Sequence, residues 1–278
     1  MTHSGADIAT LLAAHGLRPS RALGQNFVAD PNTVRRIARL ADIGPGSSVL
    51  EFGAGLGSLS LALAETGARV VAVEVDRHLL PVLRTVVEPA GVEVIAGDAM
   101  TLDVAALLEE RGGGSWSLVA NLPYNLATPL VLRTLVEVPA IERLLVMVQR
   151  EVGERFAAAP GTSAYGIPSV LAQLACEVKV LRPISRTVFR PVPNVDSVLL
   201  GLRRVGPAAD ARVSAIVHGA FAHRRKALAG SLARSPGMPP DVRERARAAL
   251  VELGHPADER AERLAPGEFR ELTTRVWP

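Results

Sequence analysis

From residue 47 to about 149, short apolar runs alternate with longer stretches whose apolar residues recur at helical spacing. The runs at 48–51, 69–75, 92–96, 118–121 and 144–149 predict strands. The segments 59–65, 78–87, 104–111 and 129–136 between them predict helices flanked by Gly or Pro. Strands alternating with helices imply βαβ units and a parallel sheet. Further strands are expected at 177–181 and 198–202, around a helix near 167–176. The pattern changes at Val205-Gly206-Pro207. Beyond it, 210–234 and 241–253 read as helices, divided by Pro236, Gly237, Pro239 and Pro240. The expected architecture is an α/β domain over 1–204, a doubly wound sheet with helices on both faces. A small all-helical domain over 205–278 comes after it. There is no internal repeat.

At 278 residues the chain can bury a substantial core, and 48% apolar with 21% charged residues is ordinary for a folded domain. No apolar run approaches the roughly 18 residues of a membrane span. Residues 1–17 lack a basic start followed by an apolar block, so no secretory leader is expected and the location is read as cytoplasmic. The only cysteine, Cys176, excludes an internal disulfide and reads as a small buried hydrophobe. Six scattered histidines without acidic partners at ligand spacing argue against a metal site. A net charge of +3 permits an anionic partner without demanding one. The Arg-rich, Lys-poor usage is equally open to a compositional explanation.

The first candidate chemistry is Glu51-Phe52-Gly53-Ala54-Gly55-Leu56-Gly57, between a predicted strand and helix. Glycines there allow a tight turn and close approach of backbone to a ligand. A dinucleotide-binding fingerprint wants Gly or Ala at the sixth position from Gly53, where Ser58 stands. An acidic residue ahead of Gly-x-Gly-x-Gly is instead similar to the first motif of class I methyltransferases. At the next strand end, Glu74 in Val73-Glu74-Val75-Asp76 is placed to accept from ribose hydroxyls, with Asp76 capping the next helix. At the third, Asp98 in Gly97-Asp98-Ala99-Met100 is placed to accept from an adenine amine, with Ala99 and Met100 against the ring. Singly, each also reads as a loop acid or a helix cap; together they mark successive strand ends.

Asn121-Leu122-Pro123-Tyr124 comes after the fourth strand, where such sheets open their crevice. It resembles the Asn-Pro-Pro-Tyr motif of enzymes that methylate exocyclic amines of nucleobases. An adenine amine is a poor nucleophile because its lone pair is delocalised into the ring. Acceptors on its N–H groups, the Asn121 amide oxygen and the Leu122 carbonyl, hold it out of conjugation and aim the lone pair, so catalysis is mainly orientation with electrostatic help. Pro123 stiffens the turn, and Tyr124 offers a stacking face. Alone, the tetrad also reads as a surface turn.

Leu23-Gly24-Gln25-Asn26-Phe27, the glycine loop, Asn121 through Pro129, Val148-Gln149-Arg150-Glu151-Val152, Phe189 through Ser197 and Phe221 through Lys226 occur in one order along nearly the whole chain. In these motifs the chain resembles the small-subunit ribosomal RNA adenine dimethyltransferases of the KsgA/RsmA type. The resemblance implies a Rossmann-like class I methyltransferase sheet and S-adenosyl-L-methionine as cofactor. It implies dimethylation of the N6 amines of two adjacent adenosines in the 3′-terminal hairpin loop of 16S RNA, with a role in small-subunit biogenesis. Gln25, Asn26 and Phe27 would meet the methionine end of the cofactor; Gly53, Gly55, Glu74, Asp98, Ala99 and Asn121 would complete its pocket. Phe189 would stack on the target base opposite Tyr124. The basic cluster Arg224, Arg225 and Lys226 would contact RNA, although a charge run also reads as a solvated helix face. The implied partners are small-subunit RNA and the immature 30S particle, with the protein a monomer and no membrane or metal involved. After Lys226 the sequence Ala227-Leu228-Ala229-Gly230-Ser231-Leu232 is less polar than is common in that family. A large-subunit resistance methyltransferase, a ribosome-assembly factor and an NAD-dependent dehydrogenase are the competing readings; Ser58 and the tetrad speak against the last.

Overall fold

The computed structural model describes residues 2–223 and 225–277. Its strands are β1 (Phe27–Val28), β2 (Ser48–Phe52), β3 (Arg69–Glu74), β4 (Glu93–Ala96), β5 (Trp116–Asn121), β6 (Ile141–Gln149), β7 (Cys176–Ile184), β8 (Phe189–Arg190) and β9 (Ser197–Arg204). A seven-stranded sheet runs β4-β3-β2-β5-β6-β9-β7. Strands β4 through β6 are parallel neighbours, and β9 is antiparallel to β6. The expected class I methyltransferase sheet is therefore present. Its central strands are near-continuous apolar runs because helices cover both faces. Val49, Leu50, Val71 and Val146 are all 0% exposed. Each such side chain contributes roughly 1.5–3 kcal/mol of burial.

The helices are α1 (Gly5–Ala14), α2 (Pro31–Leu40), α3 (Ser58–Ala64), α4 (Leu80–Val87), α5 (Val104–Glu109), α6 (Ala127–Glu137), α7 (Arg150–Phe156), α8 (Ile167–Ala175), α9 (Ala211–Phe221), α10 (Leu228–Leu232), α11 (Val242–Glu252) and α12 (Pro266–Val276). Helix α2 starts where Asp30 accepts from the backbone N–H groups of Asn32 and Thr33, with Pro31 at its first position. Gly57 enters α3 with φ +82°, and a Cβ there would stand 2.3 Å from Val87 Cγ1. Only glycine lets α3 lie this close to α4.

The chain divides by contact into two compact units, one of residues 1–153 and 179–203, the other of residues 154–178 and 204–278. The stretch 154–178 thus leaves the 1–204 region to which periodicity assigns it. Within the second unit, Tyr165, Val170 and Leu174 pack in one core with Val213, Ile216 and Phe269. The Tyr165 hydroxyl donates to Leu264 O at 2.9 Å. Helix α8 therefore belongs to the helical core, although it runs directly into a sheet strand. The long helix expected over 210–234 is two helices, α9 and α10, with a turn between them. Ser231 Oγ holds that turn, accepting from His223 N at 3.1 Å and donating to Gly219 O at 2.6 Å. Cys176 is buried as expected, and burial pushes its thiol up to about 11.

One polar pair lies in the core between β2 and α3. Ser60 Oγ donates to Glu51 Oε2 at 2.5 Å, and both side chains are buried. Burial raises the Glu51 carboxyl to about 8, the serine bond opposes this, and Glu74 adds to the rise. The folded pKa lies above the unfolded one, so the native state binds the extra proton between the two. Its stabilising contribution is fully present below about pH 4.5 and is lost as pH rises through about 8. Thermal melts of wild type and Glu51→Gln should therefore diverge, the wild type losing melting temperature relative to the variant between about pH 5 and pH 9. Parallel profiles would show that Glu51 is ionised in the native state.

Candidate active site

The site forms at the carboxyl ends of β2, β3 and β5. After β2 the glycine loop is tied to β3 by Gly53 N donating to Val73 O at 2.8 Å. The Glu74 carboxylate, 4% exposed, gathers the surrounding backbone. Its Oε2 accepts from Gly55 N at 2.7 Å, and its Oε1 accepts from Val75 N at 3.0 Å and Asp76 N at 2.9 Å. Burial raises the Glu74 pKa and the three amide bonds pull it back down. Gly55 has φ +59°, and a Cβ there would press on the Phe27 ring at 3.0 Å. Phe27 is itself anchored in a small cluster with Ile8, Leu56, Leu79 and Val82.

Residues 20–28 close the pocket from the N-terminal side. Gln25 is engaged at both ends of its amide: Oε1 accepts from Ser20 N at 2.7 Å, and Nε2 donates to Asp76 Oδ2 at 2.8 Å. It thus straps this segment to the end of β3, beside Glu74, rather than presenting a free polar end. Asp76 also accepts from His78 N at 2.9 Å, closing the turn before α4 rather than capping the helix, whose N-cap is Leu79 without a side-chain bond. Asn121 Nδ2 donates to Asn26 O at 2.9 Å. With the donor end of the Asn121 amide held, Oδ1 is left as the acceptor, the atom the amine chemistry requires. Leu122 N donates to Met147 O at 3.2 Å, setting the turn in register with β6. The Tyr124 hydroxyl and Ser197 Oγ lie 2.8 Å apart, which fixes the ring through β9.

These elements enclose a cavity of about 90 Å³ lined by Gln25, Asn26, Gly53, Glu51, Glu74 and the Asn121–Tyr124 tetrad, among others. Asp98, Ala99 and Met100 do not line it. Asp98 is exposed and accepts from Met100 N at 2.8 Å. Arg133 from α6 holds that loop, donating to Ala99 O at 2.7 Å and Leu102 O at 2.9 Å. Contributors that escape sequence reasoning include Arg133, Ser197 in its role towards Tyr124, and two residues that line the cavity, Ile8 and Val75. Arg133 and Ile8 lie outside the recognised motifs, Arg133 being 34 and 31 residues along the chain from its two acceptors.

Phe189 does not face Tyr124 across the pocket as the resemblance implies. Its side chain is 0% exposed and packs in the main core with Val28, Met147 and Leu199. The antiparallel pairing of β1 with β8 sets Val28 opposite Phe189, so the aromatic clamp across from Tyr124 is not formed in this structure. Of the basic cluster, Arg225 and Lys226 are exposed in the turn between α9 and α10, not on a helix face; Arg224 lies outside the described residues. Among the described residues there is no His, Cys, Asp or Glu cluster that would hold a metal, and no helix is long and apolar enough to cross a membrane.

Comparison with known proteins places this geometry. Residues 17–247 match the ribosomal RNA adenine dimethylase family. The chain is 47% identical over 270 residues to ribosomal RNA small subunit methyltransferase A of Streptomyces griseus, covering 95% of this chain and 91% of that one. Its structure is similar to that of the 23S rRNA methyltransferase ErmE, with TM-score 0.67 and 26% identity, covering 90% of this chain and 99% of that one. It shares the fold of a dimethyladenosine transferase from Plasmodium falciparum, with TM-score 0.71 and 22% identity over 87% of this chain and 94% of that one. Matched over most of its length in sequence and in structure, the chain belongs to the ribosomal RNA adenine dimethylase family.

Proposed function

We propose that the protein uses S-adenosyl-L-methionine to dimethylate the N6 amines of two adjacent adenosines in the 3′-terminal hairpin loop of small-subunit (16S) ribosomal RNA. It acts as a cytoplasmic monomer on the immature 30S particle and so takes part in small-subunit biogenesis. The observation that carries this reading is the held Asn121 amide, whose free acceptor lies in the same turn as the Leu122 carbonyl and the Tyr124 ring. High identity to a small-subunit methyltransferase over nearly the full chain, against 26% to ErmE, favours the small subunit as target.

The residues fit the cofactor. A Cβ at Gly53 would fill the space between loop and tetrad, 3.9 Å from Pro123 Cδ and 4.0 Å from Asn121 O. Among the described residues neither arginine nor lysine lines the cavity, whereas Glu51 and Glu74 do. Such a lining suits a cationic group and offers no anchor to a pyrophosphate, which argues against a dinucleotide. Glu74 would hold the ribose, and Gln25, Asn26 and Phe27 the methionine end, while Asp98 with Ala99, on the loop outside this cavity, would take the adenine. Bound there, the cofactor supplies a methyl group on a sulfonium sulfur. Asn121 Oδ1 and Leu122 O orient the amine towards it, and Tyr124 stacks on the base. Arg224, Arg225 and Lys226 contact phosphates of the RNA.

Labelled methyl transfer to unmethylated small subunits, with large subunits as the control, tests the reaction. Product expected only in the small subunit is N6,N6-dimethyladenosine; label in the large subunit alone would reassign the substrate. Asn121→Ala should lower kcat by about 100-fold or more with an unchanged melting temperature, while Glu74→Ala should lose cofactor binding by calorimetry. Full activity and tight binding in both would remove these residues from the site. Neutralising Arg224, Arg225 and Lys226 together should flatten the salt dependence of RNA binding by about two to three in log–log slope. An unchanged slope would return the cluster to a solvated turn.

A further inference from the structure

Beside the methylation pocket, and within the same unit, lies a second cavity of about 480 Å³. Arg36 from α2, Arg150 after β6 and Arg182 near the end of β7 line it, together with Asp30 and Asp196. Both carboxylates already accept from backbone N–H groups: Asp30 from Asn32 and Thr33, Asp196 from Arg186. The arginines leave the groove with net positive charge. Arg182 Nε is buried without a hydrogen-bond partner, a cost that an incoming anionic oxygen would remove. The floor is aliphatic, including Ile37 and Leu199, and takes the apolar side of a sugar or base.

The groove shares backbone with the amine site at two points. Asp196 adjoins Ser197, whose hydroxyl meets that of Tyr124. Asp30 comes after Val28 and Ala29, and Ala29 N donates to Val188 O at 2.7 Å, joining both walls of the groove. Both cavities therefore open at the carboxyl edge of the sheet, where ligands of such folds bind. We infer that this groove holds the phosphodiester backbone of the RNA strand that flanks the target nucleotide, with Arg36 and Arg182 as the phosphate contacts. The inference rests on RNA being the substrate, and it names a contact surface on the catalytic unit separate from the basic turn of the helical one.

The test measures binding of an unmethylated small-subunit RNA hairpin across a salt series by wild type, Arg36→Glu and the double variant Arg36→Gln/Arg182→Gln. Arg36 is exposed on α2, so its variant keeps the fold whatever happens at Arg182. The double variant should lose about tenfold in affinity near physiological salt and about 1.5 in log–log salt slope. KM for RNA should rise with kcat and cofactor affinity unchanged. Wild-type affinity and slope in both variants would overturn the assignment. Inorganic phosphate is the second probe: phosphate binding that depends on the arginines, with RNA binding unaffected, would also overturn it. A wild type that binds RNA through these arginines yet methylates nothing would instead overturn the proposed reaction and leave the groove standing.

Discussion

The Glu74 carboxylate is the constraint on which the site depends. Three backbone N–H groups from two separate loops converge on it, so the end of β3 and the turn after β2 cannot move independently. A buried carboxylate without such partners would protonate or drive the loops apart; with them it becomes a fixed negative wall. Asp76, one of its donors, also receives Gln25, which brings the N-terminal segment onto the same anchor. Asn26 in that segment then holds Asn121. Hydrogen bonds and the Gln25–Asn26 peptide link thus connect Glu74 to Asn121, the residue proposed to orient the amine.

Glu51 stands behind this wall and shows why two acids can share one pocket. Burial pushes its carboxyl up to about 8, with Ser60 as its hydrogen-bond partner, and burial raises Glu74 as well, opposed there by three backbone N–H groups. A cation arriving in the pocket reverses the balance, because it favours the ionised form of both groups. Proximity of the two carboxyls favours the neutral form, and a cation opposes that effect.

Much of this was legible in the sequence because the chemistry sits at strand ends. Glu74, Asp98 and the Asn121 tetrad each come after an apolar run of strand length, and a doubly wound sheet gathers such ends on one edge. Other features leave no local mark. Strands β1 and β8 are two residues long, too short for any period, yet their pairing turns Phe189 into the core and removes the clamp expected from the resemblance. The segment 154–178 reads as one more helix before a strand; only long-range contacts such as Tyr165 with Leu264 assign it to the helical unit. The α9–α10 break contains neither Gly nor Pro and is held by Ser231 instead. Helix α2 is different, since the Asp30-Pro31 cap is a readable start signal.

The buried position of Phe189 changes what Tyr124 must do. On the proposed assignment the base would meet one stacking face in place of two, and stacking of that kind is worth roughly 1–3 kcal/mol. Ring orientation then matters more than ring number. Ser197 fixes it from β9, while Leu122, bonded to Met147 on β6, sets the turn from the other side. The demand is greatest for a second methyl transfer. A monomethylated amine keeps one N–H for two acceptors, Asn121 Oδ1 and Leu122 O, so one hydrogen bond is lost. Under that assignment the fixed ring and the remaining acceptor would still hold the amine in line. A second transfer would then depend on rigidity of the tetrad, which the surrounding strands supply, more than on the count of contacts to the base.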